Sequence, residues 1–447
     1  MHGVTGVEHA TPVSRDLPEW RRWYTLALLF AVALSNYLDR SVIAILQVPI
    51  KQDLGLSDTQ LGAMTGLAFA VCYTVLGIPA ARLADRTSRK GVLACAILIW
   101  SVMTSLCGFA VGFRTIFAAR VGVAVGEAAG SPVSHALVAD QFPLGRRTMA
   151  MAIWSLAIPA GAMLGLGLGG WLNQVIGWRN AFVLVGLAGA LLGPLAYFTI
   201  RERRPKRAGS APQYGWRESC AMLWRIRAFR YLCLGGLLHG FGIYAMYSWS
   251  APFYTRVYHL PVATAGYYLA LMAGIGGSIG IFSGGFLAER LGRRAPRWHL
   301  LVPAIAATLL TPVAIAQFLT DSFRLSIALG FVSTTLLHAH MGPVSSTVQS
   351  LVPEPIRAFS AAIMVMLSGL VGLSVAPLAI GMMSDAMVAR GLPASSLGYA
   401  IALLMLFPLA AGLAYFAASR HLAREFEVAA RSEAGRQTAA PDLDPIA

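Results

Sequence analysis

The sequence predicts an all-α membrane protein whose twelve transmembrane helices form two six-helix bundles. Three observations support this prediction. The 447-residue chain is 57% hydrophobic and only 12% charged, whereas a soluble protein carries about 25% charged residues. Apolar runs of about 20 residues, the length that crosses a bilayer as a helix, recur along the chain. Two loop motifs each occur once in the first half of the chain and once in the second.

Each predicted span is long enough to cross the membrane as a helix. In chain order, spans 1 to 12 are residues 22–50, 58–82, 90–111, 114–138, 147–174, 178–200, 229–256, 262–289, 298–320, 324–350, 357–386 and 396–423. The chain is thus predicted to comprise an N-terminal segment (1–21), an N-terminal bundle (22–200), a linker (201–228), a C-terminal bundle (229–423) and a tail (424–447). We call the two bundles the N half and the C half.

The basic residues predict how the spans are oriented. Of the 35 lysines and arginines, 27 lie at the termini or in connections on the same side as the termini. Six lie in the connections of the other side, and Arg40 and Arg120 lie inside spans. Because lysine and arginine accumulate in cytoplasmic loops, we expect a multi-pass protein of the cell (inner) membrane with both termini in the cytoplasm. The same topology accounts for the net charge of +15 without a nucleic-acid partner.

The two repeated loop motifs indicate an internal duplication. "RLADRTSRK" (82–90) follows span 2 and "FLAERLGRR" (286–294) follows span 8, with their acidic residues 204 positions apart. "FPLGRR" (142–147) follows span 4 and "VPEPIR" (352–357) follows span 10, with their prolines 210 positions apart. Because six is an even number of spans, the two halves are predicted to be parallel and related by a pseudo-two-fold axis along the membrane normal.

The loop after span 8 resembles the G-x-L-A-D-R-x-G-R-K/R signature of the major facilitator superfamily, although Glu289 replaces its aspartate. The loop after span 2 departs further, because Ala81 and Ser88 stand where glycines are usual. In that family the acidic residue helps to close the cytoplasmic side by meeting a helix N-terminus and basic residues, an arrangement that the helix dipole favours. Ordinary positive-inside charge is the alternative explanation, and it accounts less well for two basic loops at matched positions than for one. The resemblance implies a cytoplasmic gate formed by Asp85, Arg86, Arg89, Glu289, Arg290 and Arg293.

Four charged residues lie deep inside predicted spans: Asp39 and Arg40 in span 1, and Arg120 and Glu127 in span 4. Each charge costs roughly 2.5–3.5 kcal/mol at the centre of a membrane on insertion scales. The adjacent Asp39 and Arg40 point about 100° apart on a helix, so they cannot neutralise each other well. All four residues fall within roughly 10 Å in depth. We therefore predict a network that pairs Asp39 with Arg120 and Arg40 with Glu127, with other pairings left open.

The network allows two interpretations, a static cluster of ion pairs or a proton-transfer site. Ionisable residues inside spans typically mark transport pathways or proton relays. Burial disfavours the charged form of a carboxyl group, whereas a nearby arginine favours it. A change between these environments would allow Asp39 or Glu127 to bind and release a proton in each cycle.

Three further segments resemble one branch of this superfamily in particular. "NYLDR" in span 1, "GLSDTQLG" before and within span 2, and "ARVGVAVGEAAGSP" in span 4 resemble the spinster-like branch of the major facilitator superfamily. This resemblance implies the major facilitator fold and proton-coupled, alternating-access transport of a lysolipid or sphingoid-lipid-like substrate. It implies protonation of Asp39 and Glu127, and it makes Arg40 and Arg120 charge partners or contacts of the substrate head group. We expect a monomer whose partners are the bilayer, protons and an amphipathic lipid-like molecule.

Other polar residues near the midplane are candidates to line a cavity, although packing in the core explains them equally well. These candidates are Asn36, His239, Tyr244, Tyr247 and His338. The chain has no G-x-x-x-x-G-K-[ST] loop and no nucleophile–base motif, so we expect no enzymatic activity, metal or cofactor. A drug or small-metabolite exporter and an uncoupled lipid facilitator are the alternatives within transport.

Overall fold

The computed structural model describes residues 18–202, 215–353, 356–393 and 396–438, and these ranges contain helices and no β-strand. The N-half spans consist of the helices Glu19–Leu54 (span 1), Asp58–Gly62, Ala63–Leu67 and Ala68–Arg86 (span 2), Arg89–Cys107 (span 3), Phe113–Glu127 and Gly130–Gln141 (span 4), and Leu144–Ser155 and Ala157–Thr199 (spans 5 and 6). The C-half spans consist of Arg227–Val257 (span 7), Val262–Leu271, Met272–Gly276 and Gly277–Gly292 (span 8), Trp298–Leu319 (span 9), Phe323–His338 and Met341–Leu351 (span 10), Arg357–Ala389 (span 11), and Ser396–Leu404 and Leu406–Thr438 (span 12).

The observed helices agree with the predicted all-α, twelve-helix fold. Within the described residues, eight helical stretches are long and apolar enough to cross a membrane on their own, and one of them, Met149–Thr199, runs through most of span 5 and through span 6. The backbone turns between these two spans at Gly177, whose φ of 79° and ψ of 161° are not helical. Positive φ carries little penalty in glycine because it has no Cβ. Predicted and observed ends agree within four residues except in span 12, where the helix continues to Thr438.

The predicted linker contains a helix that the sequence analysis missed, Trp216–Arg225. Its Ser219 and Leu223, one turn apart, are buried, whereas Trp216 and Trp224 are exposed. A ten-residue amphipathic helix is too short to register among apolar runs of membrane-spanning length.

Contacts between connections show which span ends share a side of the protein. Glu19, at the start of span 1, forms an ion pair with Arg146, and Gln141 Nε2 donates a hydrogen bond to the carbonyl of Arg201. The Ser88 hydroxyl also donates to Glu202 at 2.7 Å. These contacts define the side that we call the terminal face.

Contacts between the other span ends define the opposite face. Arg179 lies 2.9 Å from Asp53 and donates to the carbonyls of Gly108 and Ala110 at 3.1 and 2.6 Å. The connections after spans 1, 3 and 5 therefore lie together. The N-half spans thus alternate in direction across the membrane, as the predicted topology requires.

Two irregularities of the backbone repeat between the halves. Spans 2 and 8 each contain a π-helical turn, Ala63–Leu67 and Met272–Gly276, and these begin 209 residues apart. Spans 4 and 10 are each interrupted, after Glu127 and after His338, which are 211 residues apart. These offsets match those of the loop motifs and support the tandem duplication.

The halves pack backbone to backbone near the opposite face. A Cβ on Gly62 of span 2 would overlap the carbonyl of Pro377 in span 11. A Cβ on Gly266 of span 8 would likewise overlap the carbonyl of Leu166 in span 5. Glycine allows such close approach because small residues bring helix axes together. The halves are therefore in direct contact on this side of the midplane.

Gly62→Ala is expected to destabilise the protein by about 1–3 kcal/mol, because the new methyl group meets rigid backbone of the other half. The measurement is the melting temperature of the purified protein in detergent. Gly77→Ala is the matched control in the same span. Its new Cβ would lie 3.7 Å from the Ala128 carbonyl oxygen, which is an ordinary van der Waals contact. Equal melting temperatures for the two variants would contradict this close packing.

Candidate functional site

A cavity of about 930 Å³ lies between the halves and extends from the midplane toward the terminal face. This volume is near the upper end of small-molecule sites, which range over about 300–1,000 Å³. Most of its wall is apolar and includes Met246, Met272, Met341 and Met364. Methionine side chains are flexible and polarisable, so such a wall adapts to apolar groups of different shape.

The N-half wall of the cavity carries two cationic groups. Among the described residues that line the cavity, Arg40 and Arg120 are the only lysine, arginine, aspartate or glutamate side chains. Arg40 Nε donates a 2.7 Å hydrogen bond to Glu127 Oε2, and Arg120 Nη1 lies 3.8 Å from Asp39 Oδ1. Asp39 and Glu127 are 1% and 0% exposed and, unlike the two arginines, do not line the cavity. The geometry corresponds to the pairing proposed from the sequence, and the roles of these residues remain predictions.

Each buried carboxylate keeps one oxygen without a hydrogen bond. Asp39 Oδ2 accepts a 2.6 Å bond from the Thr104 hydroxyl, but Asp39 Oδ1 has no hydrogen-bond partner among the described residues. Glu127 Oε1 likewise lacks a partner in the described part of the chain. A proton that binds to such an oxygen displaces no existing donor. The arrangement is therefore chemically suited to proton uptake.

One hydrogen bond connects the surroundings of the network to the C half. The hydroxyl groups of Ser41 in span 1 and Tyr247 in span 7 are 2.6 Å apart. Ser41 directly follows Arg40, and the Tyr37 ring lies 5.3 Å from the Arg40 guanidinium carbon. A movement of the halves would therefore change the environment of Arg40.

The predicted cavity residues differ in their positions. Tyr244, Tyr247 and His338 line the cavity, whereas Asn36 and His239 do not. His239 is fully buried, and its Nε2 donates a 2.9 Å hydrogen bond to the Leu337 carbonyl. Asn36 is 5% exposed and lies within the N half. Sequence position indicates the depth of a residue but not the side of the helix that faces the cavity.

In the first copy of the repeated loop, the described contacts of the gate candidates are those of Arg89. The backbone N–H of Arg89, at the start of span 3, donates to Glu202 at 2.7 Å, and its side chain pairs with Asp140. The side chain of Asp85 lies outside the described residues, and that of Arg86 is exposed. The helix N-terminus thus receives a carboxylate from the end of span 6.

In the second copy, the contacts of the gate candidates are local. Glu289 and Arg293 form an exposed 2.8 Å ion pair one turn apart on the same helix. The Arg290 guanidinium lies 5.9 Å from the ring of Phe286, also on this helix. The gating role of these residues stays a prediction, because these contacts do not join the halves.

A polar cluster at the opposite face was missed by the sequence analysis. Asp58 is 1% exposed and accepts bonds from Lys51 Nζ at 2.6 Å, Arg256 Nη1 at 2.8 Å and Ser384 Oγ at 2.6 Å. Lys51 belongs to the N half, whereas Arg256 and Ser384 belong to the C half. We call these four residues the Asp58 cluster.

A second carboxylate of the C half caps span 2 beside this cluster. Asp385 accepts hydrogen bonds from the backbone N–H groups of Asp58 at 2.9 Å and Thr59 at 2.8 Å. A carboxylate is favoured at this helix end by the unpaired N–H groups and the helix dipole. The S-x-x-Q pattern of Ser57 and Gln60 marks the helix start. It gives no information about a partner more than 300 residues away.

Known proteins share this architecture and much of the sequence. The Major Facilitator Superfamily model matches residues 29–377. An MFS-type efflux pump of Mycolicibacterium smegmatis is 32% identical over 416 residues, which are 92% of this chain and 96% of that protein. Protein spinster homolog 3 of Mus musculus is 25% identical over 405 residues, 85% of this chain and 78% of the mouse protein.

A solved structure extends the likeness to three dimensions. It is the crystal structure of a bacterial homologue of the human lysosomal transporter Spinster, in an inward-facing and unoccupied conformation. The two structures have a TM-score of 0.83 and 27% sequence identity, over 92% of this chain and 99% of that one. Together with the family match, this likeness shows that the chain belongs to the major facilitator superfamily and is a spinster-like transporter.

Proposed function

We propose that this protein is a proton-coupled secondary active transporter that moves an amphipathic, lysolipid-like or sphingoid-lipid-like substrate by alternating access. The observation that carries this proposal is that the cavity combines two charged groups with an apolar wall. Two arginines, each backed by a buried carboxylate, face a wall that is otherwise largely apolar.

Two arginines beside an apolar wall are complementary to a molecule with an anionic head group and a hydrocarbon chain. Arginine recognises phosphate and carboxylate oxygens through paired hydrogen bonds. The methionine-rich wall of the C half supplies a surface for an alkyl chain. A substrate of this class is also what the resemblance of the sequence to the spinster-like branch implies.

The buried carboxylates supply the proposed proton sites. If the substrate's anionic group competes with Asp39 and Glu127 for the arginines, a carboxylate that loses its partner is stabilised by a proton. Substrate bound at the arginines and a proton bound on the freed carboxylate are then present together. This competition couples their movements without a further cofactor.

The proposed orientation places the terminal face in the cytoplasm. The distribution of lysine and arginine supports this choice. The cavity then extends toward the cytoplasm, as an inward-facing transporter requires. The similar solved structure is described as inward-facing.

A drug exporter is the second candidate, and the relative named as an efflux pump favours it. The cavity argues against cationic drugs, because its fully charged side chains among the described residues are both arginines. Neutral and anionic compounds remain compatible with such a wall.

Asp39→Asn is expected to lower transport driven by an imposed pH gradient at least tenfold, because the asparagine cannot carry the proton. The assay is uptake of a radiolabelled lysophospholipid into proteoliposomes at matched protein content. Glu19→Gln is the control, since this exposed carboxylate pairs with Arg146 far from the cavity. An unchanged response of Asp39→Asn to the pH gradient would overturn its proposed role.

A measurement of substrate-stimulated proton flux distinguishes the three candidate functions. Lysolipid-stimulated proton movement in wild-type proteoliposomes supports the proposal. Proton movement stimulated by a drug panel but not by lysolipids supports the exporter. Lysolipid movement that ignores the pH gradient supports an uncoupled facilitator.

A further inference from the structure

A second, smaller cavity of about 300 Å³ lies at the terminal face, between the start of span 1 and the end of span 6. It shares no lining residue with the central cavity. Its lining residues are Trp20, Arg21, Tyr24, Thr25, Phe198, Thr199 and Arg201. Its volume is at the lower limit of small-molecule sites, about 300 Å³.

The position of this cavity corresponds to the level of lipid head groups. Trp20 lies in the first turn of span 1, and Phe198 lies in the last turn of span 6. Their side chains are 63% and 79% exposed. Tryptophan and tyrosine concentrate where a membrane meets water, because their rings are apolar and their edges polar. The cavity therefore opens at the interface rather than into the interior of the bundle.

The cavity contains two positive charges whose neighbouring carboxylates are engaged elsewhere. Within the described residues, neither Arg21 nor Arg201 forms an ion pair with a carboxylate. Glu19 pairs with Arg146. Glu202 accepts hydrogen bonds from the Ser88 hydroxyl and the N–H of Arg89. Among the described residues, no carboxylate pairs with either arginine, so both can contact an external anion.

The hydroxyl groups of the two threonines in the cavity donate to backbone carbonyls. Thr25 donates to the Arg21 carbonyl at 3.0 Å, and Thr199 donates to the Leu195 carbonyl at 2.5 Å. The two guanidinium groups are the charged donors available to a ligand, beside the Tyr24 hydroxyl and the Trp20 indole N–H. Such a site selects a ligand with several acceptor oxygens and negative charge, which is the chemistry of a phosphate group.

We propose that this cavity binds the phosphate head group of an anionic phospholipid from the leaflet at the terminal face. Basic pockets between spans bind anionic lipid head groups in this way. The exposed rings of Tyr197 and Phe198 provide an apolar surface for the acyl chains. The site is distinct from the proposed transport site, so it does not depend on the transported substrate.

The test measures lipid retained by the full-length protein in detergent, by native mass spectrometry during titration with phosphatidylglycerol or phosphatidylcholine. The double variant Arg21→Gln/Arg201→Gln is expected to bind phosphatidylglycerol roughly 30-fold more weakly, at about 1 kcal/mol per arginine. Arg294→Gln/Arg297→Gln is the matched control, because it removes two exposed charges elsewhere. The control is expected to bind phosphatidylglycerol like the wild type.

Three results would overturn the proposal. One is equal affinity of the double variant and the control for phosphatidylglycerol. Another is equal retention of phosphatidylcholine and phosphatidylglycerol by the wild type, which would show that charge is not recognised. The third is displacement of the lipid by millimolar inorganic phosphate, which would identify a site for free anions. Equal melting temperatures of the lipid-free variants exclude misfolding as the cause of weaker binding.

Discussion

Arg40→Leu is expected to lower the free energy of unfolding by about 3–5 kcal/mol, because it leaves Glu127 buried without its charge partner. Glu127 is 0% exposed, and Arg40 Nε donates its 2.7 Å hydrogen bond. Removing one member of a buried pair leaves the desolvation penalty of the other uncompensated. The measurement is chemical or thermal unfolding of the purified protein in one detergent at neutral pH.

A second substitution and a surface control isolate the cause. Arg40→Leu/Glu127→Gln is expected to recover most of the lost stability, because no uncompensated charge remains. Arg146→Leu is the control, since its pair with Glu19 has side chains 62% and 64% exposed and should contribute under about 1 kcal/mol. Equal losses for Arg40→Leu and Arg146→Leu would show that the buried pair has no special importance for stability.

Asp58→Asn is expected to open the opposite face. The carboxylate accepts bonds from Arg256 and Ser384, which belong to the other half. Hydrogen bonds to a charged group contribute about 1.5–3 kcal/mol each. If the substitution lowers the free energy that stabilises the closed conformation by about 2 kcal/mol, the ratio of open to closed molecules rises roughly 30-fold.

The expected opening is measured as a distance distribution between spin labels at positions 114 and 324, in a background without native cysteines. Both positions are exposed and lie in the first turns of spans 4 and 10, which begin at the opposite face, one in each half. Asp53→Asn is the matched control, because Asp53 contacts Arg179 and Trp178 within the N half. The interpretation fails if Asp58→Asn and Asp53→Asn give the same distances.

Much of the fold could be predicted because a membrane imposes strong rules on sequence. Apolar runs gave the spans, since an apolar helix of about 20 residues matches the bilayer. The π-helical turns Ala63–Leu67 and Met272–Gly276 could not be predicted. Their sequences, AMTGL and MAGIG, suit an ordinary helix equally well, and the surrounding packing decides the number of residues per turn.

The charged part of the site was predictable because charges in a membrane are rare and need partners. Depth along each helix was sufficient to bring the four charges into one network, but it did not decide between the possible pairings, of which the structure shows Asp39 with Arg120 and Arg40 with Glu127. Uncharged groups gave no such constraint. Asn36 is packed inside the N half, and long-range contacts such as that of Asp58 with Arg256 leave no local pattern.

The two central ion pairs join helices of a single half, since all four residues belong to spans 1 and 4. When one half rotates as a rigid body against the other, distances within each half are preserved. If the protein works by the proposed alternating access, such a rotation keeps each arginine beside its carboxylate and changes the side of the membrane from which they can be reached. Contacts that join the halves, such as that of Asp58 with Arg256, would have to separate in the same movement.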